Sequence, residues 1–239
     1  MQLKNQKTRY SPNFAYTADD VAAVELEKYG EYRQREINLL ANLIAEDDTA
    51  TTVWDVGAGC GVHTLALSRH AAIVVAFEHN KDKAHALGMN TTGKLGPNIK
   101  VVTDHIGSGK DNTHKLDGFL MKTPEPSIVR IANGNSLDAL KGAKALMMIV
   151  KPIMFVDVHG LESIAEHYKI LQKLDYKLWW YGCPEYNENN YKEVSEEVVD
   201  NPLSFSILAI HKDVGGAAQL DLPEVLGSND TYARFYTTR

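Results

Sequence analysis

A glycine-rich loop stands between a predicted strand and a predicted helix, and its residue types suggest a specific chemistry. Residues 53–61 read Val-Trp-Asp-Val-Gly-Ala-Gly-Cys-Gly. Glycine adopts positive φ without strain and lets a ligand approach the backbone closely. The N–H groups at the start of the following helix would then face the open edge of a sheet. We therefore predict a cofactor-binding turn made of Gly57, Ala58 and Gly59.

Two acidic residues accompany this turn. Asp55 lies just before the glycines, and Glu78 closes the next predicted strand, 17 residues after Gly61. A carboxylate at the position of Glu78 can accept hydrogen bonds from both hydroxyl groups of a ribose. The turn and the acid together indicate a ligand that contains a nucleoside.

The spacing of the glycines separates two classes of nucleoside cofactor. A dinucleotide-binding loop follows the pattern G-x-G-x-x-G and would place its third glycine at position 62, where this chain has Val62. Asp55 would also repel a pyrophosphate at ~4 Å by several kcal/mol in a poorly solvated site, whereas it would attract an ammonium group. These features favour S-adenosylmethionine as the cofactor. The alternative is a glycine turn that only packs the helix against the strand.

The remaining chain alternates short apolar runs with helical patterns, as in a doubly wound parallel sheet. The runs lie at 52–56, 73–77, 99–103, 128–131, 153–158, 177–181 and 205–211, and helices are predicted at 62–70, 81–90, 137–148 and 161–174. Residues 182–204 between the last two strands lack a helical pattern, and antiparallel strands need no crossover helix. We predict an α/β, Rossmann-like, seven-stranded, mostly parallel sheet whose last strand is antiparallel.

Three regions follow from this pattern. Residues 1–48 form a helical lead-in, with an irregular arm over 1–18 and helices at 21–28 and 32–45. Residues 49–212 form the Rossmann-like domain. Residues 213–239, which contain two adjacent glycines and a proline, form a peripheral tail.

The overall composition argues against several classes of protein. The formal net charge is −6 without a dense Lys/Arg run, so nucleic acid is not an expected partner. Two distant cysteines, Cys60 and Cys183, support neither a disulfide framework nor a zinc site. The first residues lack the apolar stretch of a signal peptide, and no run is long enough to cross a membrane. We expect a cytoplasmic protein without a membrane partner.

The segments around the glycine turn resemble the FkbM-type methyltransferases. The resemblance begins with Trp-Asp-Val-Gly-Ala-Gly-Cys-Gly-Val-His-Thr over 54–64 and Ala-Phe-Glu-His-Asn over 76–80. It continues with Leu-Asp-Gly-Phe-Leu over 116–120, Ile-Val-Arg-Ile over 128–131, Asp-Ala-Leu-Lys-Gly-Ala over 138–143 and Lys-Pro-Ile-Met-Phe-Val over 151–156. This family has the class I methyltransferase fold and methylates oxygen atoms of sugars and small metabolites. The resemblance therefore implies S-adenosylmethionine as cofactor and a small-molecule or glycan acceptor.

The resemblance also implies roles for individual residues. It places Asp55 near the amino-acid end of the cofactor, Gly57 to Gly59 beneath it, Glu78 on the ribose and His79 along the adenine. Further candidates for cofactor contacts lie at strand ends or before the lead-in helix: Asp104, Asn133, Glu31 and Tyr32. Each of these further candidates has the alternative of an ordinary turn or surface residue.

One departure from the family concerns the end of the fourth strand. The family usually has acidic residues there, whereas this chain reads Ala132-Asn133-Gly134-Asn135. Two alternatives to an active O-methyltransferase follow: a cofactor-binding protein with impaired catalysis, and a methyltransferase acting on nucleic acid or protein. The second has less support, because no N-P-P-[YF]-like motif is present and the chain is acidic. A homo-oligomer is compatible with all three.

An oxygen nucleophile usually needs a base before it accepts a methyl group. Asp157 and His159 end the fifth strand two residues apart, so both side chains point to the same face. We predict them as the catalytic candidates. A capping aspartate and a surface histidine are the alternative. No paired-histidine motif is present, and no metal is predicted.

Overall fold

The computed structural model describes residues 3–45, 51–93, 96–132, 134, 136–158, 164–197, 203–214 and 221–231. The chain divides into two compact units. The first unit comprises Met1–His105 with Cys183–Ser204, and the second comprises Ile106–Gly182 with Phe205–Arg239. The boundaries at residues 48 and 212 that the sequence suggested remain predictions.

Seven strands form the large sheet: β3 (Thr52–Val56), β4 (Ile73–Phe77), β5 (Ile99–Val102), β6 (Ile128–Ile131), β7 (Ile153–Asp157), β8 (Tyr176–Pro184) and β9 (Leu203–His211). Their order is β5-β4-β3-β6-β7-β9-β8. β4 pairs in parallel with β3 and β5, and β6 pairs in parallel with β7. β9 pairs antiparallel with β7. The predicted fold class, a mostly parallel seven-stranded sheet with an antiparallel last strand, is confirmed.

The strands at the middle of the sheet are buried, which explains their apolar sequences. Every residue of β3 and every residue of β6 is buried. Strands covered on both faces lose the alternation of polar and apolar residues that half-exposed strands show. The Trp54 ring meets the Phe77 ring edge to face at 5.6 Å between centroids, which packs β3 against β4.

The predicted irregular arm contains regular structure instead. β1 (Lys4–Gln6) and β2 (Phe14–Tyr16) form an antiparallel pair in register from Lys4↔Tyr16 to Gln6↔Phe14. The prediction failed because three residues are too few to show a strand periodicity. All three residues of β2 are buried, so tertiary packing stabilises this short strand.

The described residues form a short 3-10 helix at Leu116–Phe119 and seven α-helices: α1 (Ala23–Tyr29), α2 (Gln34–Ala45), α3 (Val62–Leu67), α4 (Lys81–Thr91), α5 (Ser136–Lys141), α6 (Lys144–Ile149) and α7 (Ile164–Gln172). The sequence predicted one helix over 137–148, where the structure has α5 and α6. Gly142 separates them, and a Cβ at this position would collide with the Gly107 carbonyl oxygen. The close backbone approach therefore requires glycine and interrupts the helix.

Residues 221–231 of the second unit lie along β8. The Trp180 N–H donates to the Pro223 carbonyl at 2.8 Å, and the Val225 N–H donates to the Leu178 carbonyl at 2.9 Å. Val225 is buried. This part of the predicted tail therefore extends the hydrogen bonding of an edge strand.

Among the described residues, every helix is too short or too polar to cross a lipid bilayer.

Candidate functional site

The glycine turn follows β3 in the first unit and is held against the end of β4. Gly57, Gly59 and Gly61 have φ of +76°, +58° and +95°. The N–H groups of Gly57 and Ala58 donate to the Phe77 carbonyl at 2.9 and 3.1 Å. Residues with side chains rarely adopt such dihedrals, so the alternating glycines are a requirement of this turn.

Gly61 also allows α4 to pack closely on the turn. A Cβ at Gly61 would lie 2.5 Å from Leu87 Cδ1, which is closer than atoms can approach. The Gly61 carbonyl accepts from the Leu65 N–H at 2.9 Å and so begins α3. Gly61 is therefore required for the packing of α4, whereas Gly57 and Gly59 lie in the turn where a ligand was predicted.

Glu78 lies at the end of β4 and reaches the turn with its carboxylate. Its Oε2 accepts from the Gly59 N–H at 2.8 Å, and its Oε1 accepts from the Asn80 N–H at 2.8 Å. The residue is only 4% exposed. Each carboxylate oxygen has about two lone pairs. Glu78 is therefore fixed in place by the backbone while each oxygen keeps the capacity to accept a second hydrogen bond.

Asp55 ends up beneath the turn, fully buried. Its Oδ2 accepts from the Thr64 hydroxyl at 2.5 Å, which joins the end of β3 to the first turn of α3. A buried carboxylate is costly without hydrogen bonds. The Thr64 hydroxyl supplies one such hydrogen bond to Asp55.

Asp20 is part of this site although it was not predicted there. Its Oδ2 accepts from the Cys60 N–H at 3.0 Å, and its Oδ1 accepts from the Ala22 N–H at 3.0 Å. The carboxylate also covers Gly59, since a Cβ on that glycine would lie 2.8 Å from Asp20 Oδ2. Asp20 therefore joins the residues just before α1 to Cys60, 40 residues further along the chain, and holds the glycine turn.

Replacing Asp20 with alanine is expected to destabilise the protein by about 2 kcal/mol. The variant loses two charge-assisted hydrogen bonds and leaves the buried Cys60 N–H without its acceptor. Urea unfolding monitored by circular dichroism measures the change. The exposed neighbour Asp19 is the matched control, and Asp19→Ala should destabilise the protein much less than Asp20→Ala. Equal stabilities of the two variants would contradict the role of Asp20.

Asn90 on α4 also fixes the turn. Its side-chain oxygen accepts from the Ala15 N–H at 2.7 Å, and its amide nitrogen donates to the carbonyls of Ala15 at 2.7 Å and Cys60 at 2.8 Å. The residue is 2% exposed. Asn90 therefore ties β2 and the glycine turn to one helix, and a lone asparagine in a helical pattern gave no signal of this.

Cys60 within the turn is a buried packing residue. Burial raises the pKa of its thiol to about 12, and the nearby Asp20 carboxylate acts in the same direction. The thiol is therefore protonated at neutral pH, which leaves it without the thiolate that a nucleophile requires.

His79 and His105 form a flat surface beside Glu78. Their rings stack at 3.9 Å between centroids and 13° between planes. His79 follows β4, its side chain is 47% exposed, and its Nδ1 lies 3.8 Å from Glu78 Oε1. The half-buried Asp104 precedes His105 in the chain. The predicted contacts His79 and Asp104 therefore lie in one unit with Glu78, and His105 joins them.

Glu31 forms hydrogen bonds with the segment that follows β8, at Asn187 and Tyr191. Its Oε2 accepts from Arg9 Nε at 2.6 Å and from the Tyr191 N–H at 2.9 Å, and its Oε1 accepts from Asn187 Nδ2 at 2.7 Å. These contacts commit both carboxylate oxygens to the protein. The predicted cofactor contact of Glu31 remains a prediction, and its observed contacts are structural.

Tyr32 packs against a buried contact between His63 and Glu36, which lies between α2 and α3. Its ring meets the His63 ring edge to face at 5.8 Å. His63 Nε2 lies 3.0 Å from Glu36 Oε1, and both side chains are at most 3% exposed. The Tyr32 N–H donates to the Tyr10 hydroxyl at 3.0 Å. Tyr32 therefore helps to set the start of α2 next to the helix that the glycine turn begins.

Asp157, a predicted catalytic residue, belongs to the second unit. It ends β7 and is 5% exposed, and its Oδ1 accepts from the Ser206 hydroxyl at 2.9 Å. Its carbonyl accepts from the Ser136 hydroxyl at 2.7 Å, and this hydroxyl lies 3.1 Å from His167 Nε2. Because Ser136 gives its hydrogen to a carbonyl, the Ser136–His167 contact does not activate a nucleophile. The role of Asp157 as a base remains a prediction.

Two predicted site residues, His159 and Asn133, lie outside the described residues.

The structure is similar to solved methyltransferases. Precorrin-6y C5,15-methyltransferase from Geobacter metallireducens GS-15 aligns with TM-score 0.53 and 14% identity over 74% of this chain and 87% of that chain. The METTL16 methyltransferase domain aligns with TM-score 0.54 and 15% identity over 75% and 67%. Magnesium protoporphyrin IX methyltransferase (ChlM) from Synechocystis PCC 6803 with bound SAM aligns with TM-score 0.50 and 11% identity over 75% and 79%.

No protein-family model and no curated protein sequence matches this chain. The identities with the solved structures are low, so the similarity establishes the fold. The chain has the fold of the class I methyltransferases, with the same mostly parallel sheet and antiparallel strand. The narrower resemblance to the FkbM-type family remains a prediction.

Proposed function

We propose that this protein is an S-adenosylmethionine-dependent methyltransferase. The observation that supports the proposal most is the carboxylate of Glu78, which the backbone fixes at the glycine turn of a class I methyltransferase fold. Its two oxygens each accept one N–H and can each accept one more donor, which matches the two hydroxyl groups of a ribose. Capping of α4 does not explain Glu78, because the Asn80 side chain caps that helix by accepting from the Asp82 and Lys83 N–H groups.

The other residues of the turn suit the remaining parts of the cofactor. Asp55 would attract the ammonium group, since it is a buried carboxylate beneath the turn. The exposed face of the His79–His105 stack would lie along the adenine, and Asp104 would accept from its amino group. Bound S-adenosylmethionine supplies an activated methyl group on a sulfonium. The protein's part is to hold and orient the cofactor and acceptor, which accounts for much of the acceleration in such transfers.

We propose an oxygen atom of a small molecule or glycan as the methyl acceptor. The acidic charge of the chain and the resemblance noted above support this choice over nucleic acid. Asp157 and His159 are the proposed bases that would take the proton of the hydroxyl group. Asp157 is the last residue of β7 and His159 comes two residues later in the sequence, so the proposal places the acceptor at the carboxyl end of that strand.

Methyl transfer from labelled S-adenosylmethionine tests this function. The protein is incubated with separate pools of small metabolites, glycans, nucleotides and proteins, and the label in each pool is counted. We expect label in the metabolite or glycan pool, and its loss by more than tenfold with Asp157→Asn, as for removal of a general base. Label in the nucleotide or protein pool would overturn the acceptor class. Cofactor binding without label in any pool would favour the catalytically impaired alternative, which the missing acids near Ala132 first suggested.

A further inference from the structure

A cavity of about 360 Å³ lies in the first unit, away from the glycine turn along α3. Residues of α2, the end of α3 and the N-terminal segment line it. The turn precedes the first residue of α3, whereas Arg69 and His70 in the cavity follow its last residue. The proposed cofactor contacts therefore leave this cavity without a role.

The polar lining consists of hydrogen-bond donors that carry positive charge or no charge. Arg9 and Arg69 bring guanidinium groups, His70 brings an imidazole, and Asn38 and Asn42 bring amides. No Asp or Glu is among the described residues that line the cavity, although the chain as a whole has an excess of acids. The two guanidinium groups in this lining attract an anion.

Contacts with the protein hold both arginines in position. Arg9 Nε donates to Glu31 Oε2 at 2.6 Å and Arg9 Nη2 donates to the Asn189 carbonyl at 2.9 Å. Arg69 Nη2 donates to the Tyr10 carbonyl. A guanidinium has five N–H donors, so each arginine keeps donors for a ligand after these contacts. Side chains that are already held lose less conformational entropy when a ligand binds.

Of the two arginines, Arg69 contributes the larger net positive charge to an anion in the cavity. Glu31 neutralises Arg9, whereas Arg69 donates to no carboxylate in the described contacts. The Asn38 side-chain oxygen accepts from Gln34 Nε2 at 2.8 Å, which leaves the Asn38 amide nitrogen as the end that donates to a ligand. Arginine prefers planar, bidentate recognition of phosphate and carboxylate oxygens.

The apolar part of the lining and the volume narrow the ligand further. Ile37, Ala41 and Ala66 contribute buried apolar surface beside the cations. Small-molecule sites begin at about 300 Å³, so the cavity suits a single small ligand rather than a polymer. We propose that it binds a small phosphate monoester, with the phosphate on Arg69 and Arg9 and an apolar or planar body against Ile37 and Ala41.

Calorimetry with the full-length protein and phenyl phosphate tests this site. The probe has a phosphate and a planar body but no nucleoside, so it does not test the proposed cofactor site. We expect phenyl phosphate to bind at least roughly tenfold more tightly than phenol, as a charge-assisted contact implies. Arg69→Gln should weaken the binding of phenyl phosphate by the same factor. Arg35→Gln should leave the affinity unchanged, because Arg35 is exposed on α2 outside the cavity.

Asn42→Asp is the second variant, since it adds a carboxylate to the lining at an exposed helical position. We expect it to weaken phenyl phosphate binding by a similar factor through repulsion. Equal affinities of wild type, Arg69→Gln and Asn42→Asp would overturn the proposal. So would binding of a single-stranded RNA oligonucleotide without binding of phenyl phosphate, which would indicate a nucleic-acid surface instead.

Discussion

Replacing Glu78 with alanine is expected to weaken the binding of S-adenosylmethionine by roughly two orders of magnitude. The variant removes two hydrogen bonds between ribose hydroxyls and a carboxylate, each worth about 1.5–3 kcal/mol, which corresponds to roughly tenfold or more per bond. It also releases the Gly59 and Asn80 N–H groups that now bind the carboxylate. Isothermal titration calorimetry with S-adenosylmethionine and S-adenosylhomocysteine measures the loss.

Two controls separate the loss of ribose contacts from a loss of folding. Asp82→Ala removes an exposed acid from the first turn of α4 and should leave the affinity unchanged within about twofold. The unfolding transition of Glu78→Ala should remain cooperative, which shows that the variant is folded when it fails to bind. An affinity of Glu78→Ala equal to that of wild type would remove the residue from the cofactor site.

Replacing Glu25 with glutamine is expected to stabilise the protein at alkaline pH. Burial first, and then the charges of Glu185 and Glu31, raise the pKa of this carboxyl to about 9, while Arg33 acts in the opposite direction. Among the described residues, Glu25 Oε2 has no hydrogen-bond partner. Glutamine keeps the shape and removes the group that must ionise in a buried position.

The sign of the pH dependence follows from the raised pKa. Folded Glu25 keeps its proton up to about pH 9, whereas the unfolded carboxyl ionises near its ordinary pKa of 4.5. Its contribution to stability is therefore complete below pH 4.5 and is lost as the pH rises towards 9. Over three pH units, this difference in ionisation changes the free energy of unfolding by up to about 4 kcal/mol. The stability of Glu25→Gln relative to wild type should rise by up to this amount between pH 5 and pH 8.

Urea unfolding of both proteins at pH 5, 6.5 and 8 measures this difference. Glu27→Gln is the matched control on the same helix. The hydrogen bond from Lys4 lowers the pKa of Glu27, whereas the pKa of Glu25 is raised. The Glu27 variant should therefore show no gain at pH 8. A difference between Glu25→Gln and wild type that is the same at all three pH values would show that Glu25 ionises normally in the folded protein.

The sequence predicted those parts of the fold whose structure depends on residues close together in the chain. β3 and β4 are continuous apolar runs, the glycine turn has a fixed spacing, and Glu78 follows its strand directly. Each of these features can be recognised within a window of a few residues. The mostly parallel sheet with an antiparallel last strand followed from the rules for strand connections and was confirmed.

The contacts that complete the candidate site join residues far apart in the chain. Asp20 lies 40 residues before its partner Cys60, and Glu31 lies 156 residues before Asn187. Nothing in the local sequence distinguishes Asp20 from Asp19 or Asn90 from a solvated helix residue. Only the packing of β2 and α4 around the turn selects these residues, and such selection requires the three-dimensional structure.

The structure of this protein in complex with S-adenosylhomocysteine tests the central claim most directly. We expect the two ribose hydroxyls within hydrogen-bond distance of Glu78 Oε1 and Oε2, the amino group beside Asp55, and the adenine along His79. Glu78 should keep its hydrogen bonds with the Gly59 and Asn80 N–H groups in the complex. A bound nucleoside elsewhere in the protein, with no ligand oxygen near Glu78, would contradict the assignment of the glycine turn as the cofactor site.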